Sequence, residues 1–212
     1  MKILLEQTST VDFTYADYEV SRSAGAMNGD FLHLDGGGPL RSAIDIARAR
    51  GSLTVLDAGC GTGYGLSDFK DQVNFRAPLP DFKIDAHGIG LSDVRSQFDG
   101  GWRGKERLHN GYISLAIGNL ATMPIKPDYY DIAYSYQVLL HNSQITPLVS
   151  NVISSLSQDG AYYFDTHLTQ QQELDSLLHS LDSKAWDVVS KPLTRQFIGG
   201  EDTRVMTKLT RL

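Results

Sequence analysis

Residues 57–63 combine one carboxylate, Asp57, with three alternating glycines. They follow an apolar run and precede a segment with helical spacing, which predicts a turn between a strand and a helix. Glycines let such a turn bend sharply and approach a ligand closely. The dinucleotide fingerprint G-x-G-x-x-G does not fit, because its third glycine would fall on Tyr64 counted from Gly59, or on Leu66 counted from Gly61. Since a carboxylate repels a pyrophosphate, the turn predicts a ligand with positive charge and no phosphate.

The same turn resembles the first motif of class I S-adenosylmethionine-dependent methyltransferases, D-x-G-x-G-x-G, at every fixed position. Four later segments are similar to further motifs of that family: residues 88–92, 118–124, 130–139 and 156–160. The matching motifs run from about residue 53 to residue 165, a little over half of the chain. The resemblance implies S-adenosyl-L-methionine as cofactor and methyl transfer to an acceptor.

The resemblance also implies contacts between particular residues and the cofactor. Asp57 and the glycine turn would hold the methionine end, Asp57 partly through backbone amides and water. Asn119 would accept from the adenine amino group, although it also suits a plain turn after a strand. Leu91 and Leu120 would enclose the adenine ring, and the carbonyl of Tyr136 would meet the methionine amino group. The full predicted set is Asp57, Gly59, Cys60, Gly61, Gly63, Gly90, Leu91, Asn119, Leu120 and Tyr136.

Gly90 departs from the family pattern. Relatives usually carry an aspartate or glutamate there, which accepts hydrogen bonds from both ribose hydroxyls. Ser92, Asp93 or a water could replace that acid, although Asp93 equally suits the cap of a following helix. Without a replacement, the protein would bind its cofactor weakly.

Two histidines are candidates for a general base. His141 follows the fourth predicted strand and His167 follows the fifth, so both should reach the edge where the reactive methyl group lies. An unperturbed histidine titrates near neutral pH and can accept a proton. Each histidine can also be solvent-exposed or cap a helix, and a direct displacement can proceed by alignment alone. Their spacing predicts no metal site.

Strand-like and helical segments alternate from about residue 40, which predicts an α/β fold. Apolar runs predict strands at 53–58, 84–89, 112–117, 130–135, 161–165, 186–190 and 204–209. Helical spacing predicts helices at 40–51, 66–73, 145–156 and 174–181, with a stop at 159–160 and a capping box at Thr169 and Gln172. The expected architecture is a doubly wound, mostly parallel sheet with helices on both faces. The resemblance adds seven strands with an antiparallel last strand.

The N-terminal 52 residues are predicted to form a cap with a first helix that covers the acceptor, and residues 53–212 the cofactor-binding core, within one compact domain. Tyr15, Tyr18 and Arg22 have the spacing of one helix face. Arg22 could pair with the methionine carboxylate, or it could simply be solvated.

Composition limits the function classes. The chain has 212 residues, one cysteine and a formal net charge of -6. One cysteine excludes an intrachain disulfide framework, and no secretory or membrane-spanning segment is evident, which favours a cytoplasmic protein without membrane partners. The negative charge argues against general nucleic-acid binding. A basic patch at 95–109 remains as an alternative site for an acidic acceptor or RNA.

The favoured function is therefore methylation of a small molecule on oxygen, nitrogen or carbon. Two alternatives stay open: a methyltransferase that acts on RNA or protein, and a non-catalytic cofactor-binding protein, which Gly90 favours. Aminopropyl transferases share the fold, but the chain lacks a convincing set of acidic residues for a polyamine. The sequence does not predict the oligomeric state.

Overall fold

The computed structural model describes residues 24–34, 37–61, 63–78, 81–90, 112–197 and 200–212, with backbone only at 141, 195–197 and 200. Several residues of the sequence analysis lie outside the described part: Tyr15, Tyr18, Arg22, Leu91, Ser92, Asp93 and the basic patch at 95–109. The His141 side chain also lies outside it.

Five helices and seven strands make up the described part. The helices are α1 (Ala24–Phe31), α2 (Pro39–Arg50), α3 (Tyr64–Arg76), α4 (Ile145–Ser154) and α5 (Leu168–Ser180), with a 3-10 turn at Leu139–His141. The strands are β1 (Ser52–Ala58), β2 (Lys83–Gly90), β3 (Ser114–Ile117), β4 (Tyr130–Ser135), β5 (Leu156–His167), β6 (Trp186–Phe197) and β7 (Gly200–Arg211). No described helix is long and apolar enough to cross a bilayer.

The seven strands form one mixed sheet in the order β3-β2-β1-β4-β5-β7-β6. Strands β1 to β5 pair in parallel, β7 lies antiparallel between β5 and β6, and β6 is antiparallel to β7. The predicted mostly parallel, seven-stranded sheet is confirmed. Its order changes direction between β1 and β4, so their carboxyl ends border the crevice where such sheets bind ligands.

The two faces of the sheet carry separate apolar cores. Leu40, Ala43 and Ile44 of α2 pack with Leu66 and Phe69 of α3 on one face. The apolar stripes of α4 and α5 pack on the other face. Helices on both faces are thus confirmed, and α2 ends at the predicted glycine, because Gly51 caps it in the left-handed conformation.

The predicted stop at Asp159 and Gly160 is wrong, because both residues lie within β5. Helix α4 ends earlier, at Ser154, and β5 begins at Leu156. Between two paired positions, Tyr130 with Leu156 and Ile132 with Ala161, β4 advances by two residues and β5 by five. The extra residues form an irregularity in which Asp159 has a φ of 62°. Asp159 and Gly160 therefore mark a bulge within a strand and not the end of a helix.

The predicted capping box at Thr169 and Gln172 is also displaced by two residues. Helix α5 begins at Leu168, and His167 is its N-cap. The His167 side chain accepts from the backbone of Gln170, whose side chain accepts from the backbone N–H of His167 at 3.0 Å. The box therefore joins the end of β5 directly to the first turn of α5.

Candidate functional site

The glycine turn lies at the carboxyl end of β1 and leads into α3. Gly59, Gly61 and Gly63 have φ values of 108°, 53° and 83°, which L side chains rarely adopt. The backbone N–H groups of Gly59 and Cys60 donate to the carbonyl of Ile89 at 2.8 and 3.0 Å, which ties the turn to β2. The alternating glycines are thus required by backbone geometry at all three positions.

Close packing surrounds this turn. A Cβ on Gly59 would lie 2.3 Å from a methyl carbon of Val138, in the segment after β4. A Cβ on Gly88 would lie 2.8 Å from Sγ of Cys60, because the buried Cys60 side chain faces β2. Any contribution of Cys60 to a ligand therefore comes from its backbone.

Asp57 is the carboxylate of the turn and is 1% exposed. It lies in β1 between Gly88 of β2 and Tyr134 of β4 in the pairing register. Its Oδ1 atom accepts no hydrogen bond from the described residues, while the residue has other interactions. A buried carboxylate beside a glycine turn fits the amino or sulfonium end of S-adenosylmethionine, and repels a phosphate.

Gly90 is the last residue of β2, beside the same turn, and the described residues leave room for a Cβ there. A Cβ there would lie 3.6 Å from Cys60 Sγ and 3.7 Å from the Gly61 carbonyl oxygen, ordinary van der Waals distances. Gly90 is also absent from the positive-φ glycines. Neither a clash of the Cβ with the described residues nor a positive φ accounts for the glycine at this position.

Asn119 follows β3 and organises a turn. Its Oδ1 accepts from the backbone N–H of Ala121 at 2.9 Å, and its carbonyl accepts from Met123 at 2.7 Å. The alternative interpretation of Asn119 as a turn residue therefore has direct geometric support. An amide oxygen has a second lone pair and its nitrogen is a donor, so a ligand contact is compatible with the turn. Leu120, next to it, is buried.

The segment after β4 is tied to α1. The hydroxyl of Tyr136 donates to Oδ2 of Asp30 at 2.5 Å, and both side chains are buried. The rings of Phe31 and Tyr136 also pack, with centroids 6.3 Å apart. The helix preceding the predicted core therefore contacts the edge where the cofactor is expected.

The next residue, Gln137, is held from the other side. Its φ is 59°, and its N–H donates to Oδ1 of Asp165 at 2.7 Å. Oδ2 of Asp165 accepts from Nη1 of Arg204 at 3.1 Å, and Nε of Arg204 donates to Asp202 at 2.6 Å. Burial raises the pKa of Asp165, and the Gln137 hydrogen bond and the Arg204 charge offset only part of that rise.

The sequence analysis does not identify Asp165 or Arg204 as functional residues. Asp165 is predicted only as the end of the fifth strand, where a polar residue marks the carboxyl edge of a parallel sheet. Arg204 is 39 residues further along the chain. It reaches Asp165 because β7 runs antiparallel to β5, which no local pattern encodes.

The two candidate bases have different surroundings. The His167 side chain is 43% exposed, caps α5, and has Nδ1 3.7 Å from Asp202 Oδ1. The backbone of His141 lies in the 3-10 turn after β4. Within the described residues, no three His, Cys, Asp or Glu side chains are grouped as metal ligands.

Comparison with known proteins shows that this chain is similar to some of them in fold. No family model matches the sequence, and no curated protein matches it. Among solved structures, a TehB-like SAM-dependent methyltransferase from Corynebacterium glutamicum is 18% identical, with coverage of 82% of this chain and 87% of that chain and a TM-score of 0.54.

Two further structures are similar. Magnesium protoporphyrin IX methyltransferase from Synechocystis, with bound SAM, is 12% identical, covers 99% of this chain and 88% of that chain, and has a TM-score of 0.55. An rRNA methylase from Streptococcus thermophilus is 10% identical, covers 82% and 96%, and has a TM-score of 0.56. The chain has the fold of class I methyltransferases. This is the fold that the resemblance of its motifs implies.

Proposed function

We propose that this chain is an S-adenosylmethionine-dependent methyltransferase that methylates a small molecule. The carrying observation is the turn at residues 57–63: a buried carboxylate followed by three left-handed glycines at the carboxyl end of β1. The turn lies beside the switch in strand order, where open α/β sheets bind ligands. Its chemistry favours a cationic ligand without phosphate, which describes the methionine end of this cofactor.

The residues around the turn divide the binding task. Asp57 and the turn backbone hold the methionine end, and the carbonyl of Tyr136 accepts from its amino group. Leu120 would cover the adenine ring, and Asn119 would hydrogen-bond its edge. Leu91, which the resemblance also assigns to the adenine ring, lies outside the described residues. The cofactor supplies a methyl group on a sulfonium, ready for direct displacement.

The protein's task in the transfer is to align the acceptor with the methyl group and to exclude water. His141 or His167 takes a proton from the acceptor where the acceptor needs to lose one. We assign the cover over the acceptor to the segment before β1, residues 1–52, of which residues 1–23, 35 and 36 lie outside the described part. The contact between Asp30 of α1 and Tyr136 supports that arrangement, because it brings the segment before β1 to the cofactor edge.

A small acceptor is favoured by the net charge of -6, which opposes the phosphate backbone of RNA. Incubation with methyl-labelled S-adenosylmethionine and separate small-molecule, RNA and protein fractions tests the choice. Label should enter the small-molecule fraction. Label confined to RNA or protein would overturn this part of the proposal.

Cofactor binding is tested by titration calorimetry with S-adenosylhomocysteine. The wild-type protein should bind, and Gly61→Val should lose binding because a branched side chain enters the ligand's path and strains the left-handed backbone. Gly51→Val is the matched control: Gly51 also has a positive φ of 69° but caps α2, with nothing within 4 Å of its Cβ position. The control should melt earlier and keep its affinity. Absence of binding by the wild-type protein would overturn the assignment of S-adenosylmethionine as cofactor.

Gly90 supports one competing function, a cofactor-binding protein without catalysis. A Cβ at this position meets only ordinary contacts among the described residues and φ is not positive, yet the chain carries no acid there. Label transfer to any acceptor excludes this alternative.

A further inference from the structure

The segment Tyr136 to Val138 is anchored on three sides. Tyr136 donates to Asp30 of α1, and Val138 packs so closely on Gly59 that a Cβ there would clash. Between them, Gln137 has a φ of 59° and donates its N–H to Asp165. A non-glycine residue keeps such a conformation only where its surroundings hold it, and these cluster at functional sites.

The hydrogen bond that Asp165 accepts from the Gln137 N–H depends on Arg204. Asp165 is fully buried, and a buried carboxylate is costly unless a positive charge and hydrogen bonds compensate it. Arg204 supplies the charge from β7, with its side chain 13% exposed and its Nη1 3.1 Å from Asp165 Oδ2. Asp202 accepts from Nε of the same guanidinium at 2.6 Å, which fixes its orientation.

We propose that Asp165 and Arg204 are positioning residues for cofactor binding: through the Gln137 N–H they hold the Tyr136 carbonyl and Val138 against the glycine turn. Neither residue touches the reacting atoms. The inference rests on the proposed function, because it assigns a purpose to a turn beside the proposed cofactor site. It also gives the β6–β7 hairpin a role, since Arg204 links that hairpin to the site.

The test compares two arginines of β7. Arg204→Met removes the countercharge of Asp165. Arg211→Met is the matched control, since Arg211 pairs with Asp128 and donates to the Leu156 carbonyl at the other end of the strand. S-adenosylhomocysteine affinity is measured by calorimetry, and amide exchange of a peptide spanning Gln137 is measured without ligand.

Arg204→Met should weaken the affinity about tenfold, a change of roughly 1.4 kcal/mol, and accelerate exchange at Gln137. Arg211→Met should leave both unchanged even where it melts earlier, and Arg204→Lys, which keeps the charge, should recover most of the affinity. Arg204→Gln replaces Arg204→Met, with the same expectation, if the methionine variant does not fold.

The outcomes separate the two proposals. A wild-type protein that binds, beside an Arg204→Met variant with unchanged affinity and unchanged Gln137 exchange, overturns this inference alone. An equal affinity loss in Arg211→Met also overturns it, because the effect would then reflect general stability. No binding by the wild-type protein overturns the proposed function and this inference with it.

Discussion

Gly90 is the residue at which the chain departs from the motifs of the class I methyltransferases that it resembles, and the structure makes the departure testable. We expect Gly90→Asp to tighten S-adenosylhomocysteine binding less than tenfold, because we predict that Ser92, Asp93 or a water partly replaces the acid at the ribose. The variant should fold normally, since its Cβ meets only ordinary contacts and φ is not positive. Calorimetry of both proteins, with melting curves, measures the two effects.

Gly90→Ala is the control for that variant, because it adds the Cβ without the carboxylate. A hydrogen bond to a charged group contributes about 1.5–3 kcal/mol. A hundredfold gain in Gly90→Asp at unchanged stability would therefore show that nothing replaces the acid. That result would favour the non-catalytic binding protein.

His167 combines a structural role with a predicted chemical one, and substitution can separate them. Asparagine is a good N-cap, so His167→Asn should keep α5 intact while removing the imidazole. If His167 is the general base, the single-turnover rate should fall about 10²–10⁴-fold. His141→Ala tests the other candidate in the same assay. Full rate in both variants would indicate catalysis by positioning alone.

The residues that can be predicted from sequence are those whose conformation is determined by their neighbours along the chain. Gly59, Gly61 and Gly63 follow one another in a strand–turn–helix segment, and the structure gives all three the positive φ that only glycine tolerates easily. The partnership of Asp165 with Arg204 was not predictable, because it depends on the packing of two strands far apart in the chain.

At the scale of elements, a buried hydrogen bond ties α1 to the segment after β4. Tyr136→Phe removes the hydroxyl that donates to Asp30 and leaves a carboxylate buried without that donor. The free energy of unfolding should fall by about 1–3 kcal/mol. Urea unfolding of both proteins measures it.

Tyr163→Phe is the matched control for Tyr136→Phe. It removes a hydroxyl that shares a hydrogen bond with Ser42 of α2 at 2.6 Å. It leaves a neutral hydroxyl behind and should cost only about 0.5–1.5 kcal/mol. A larger loss in Tyr163→Phe than in Tyr136→Phe would contradict the importance assigned to the Asp30 contact.

Element positions were predictable where periodicity and termini agree. The spacing of Leu40, Ala43 and Ala47 and the stop at Gly51 correspond to α2. The start of β5 was not predictable, because Asp159 and Gly160 carry a turn signal within a paired strand. Gly160 is needed there, since a Cβ would lie 2.7 Å from the carbonyl oxygen of Tyr130.

At the scale of the whole molecule, strand order is the feature least available from local patterns. Alternating segments predict a parallel sheet, but they do not say that β7 inserts between β5 and β6. The resemblance to class I methyltransferases predicted the seven strands and the antiparallel one. That resemblance rests on motifs at the cofactor edge.

The central strands also carry buried tyrosines, and we expect these tyrosines to make the fold less stable at alkaline pH. Burial raises the pKa of Tyr163 to about 12, and the hydrogen bond with Ser42 offsets only part of this effect. The unfolded chain, with a tyrosine pKa of about 10, loses that proton first. The stabilising contribution is therefore complete below about pH 10 and is lost as pH rises towards 12.

We therefore expect the free energy of unfolding to fall between pH 9 and pH 11, and to fall less in Tyr163→Phe than in the wild-type protein. Each unit of pKa difference corresponds to about 1.36 kcal/mol. By pH 11 the free energy of unfolding should therefore have fallen by about 1 kcal/mol more in the wild-type protein than in Tyr163→Phe. Urea unfolding of both proteins at pH 9, 10 and 11 supplies the comparison. Lysine titration affects both proteins equally and cancels in the difference. Parallel curves for the two proteins would show that the Tyr163 hydroxyl keeps an ordinary pKa, and that the core around it admits water.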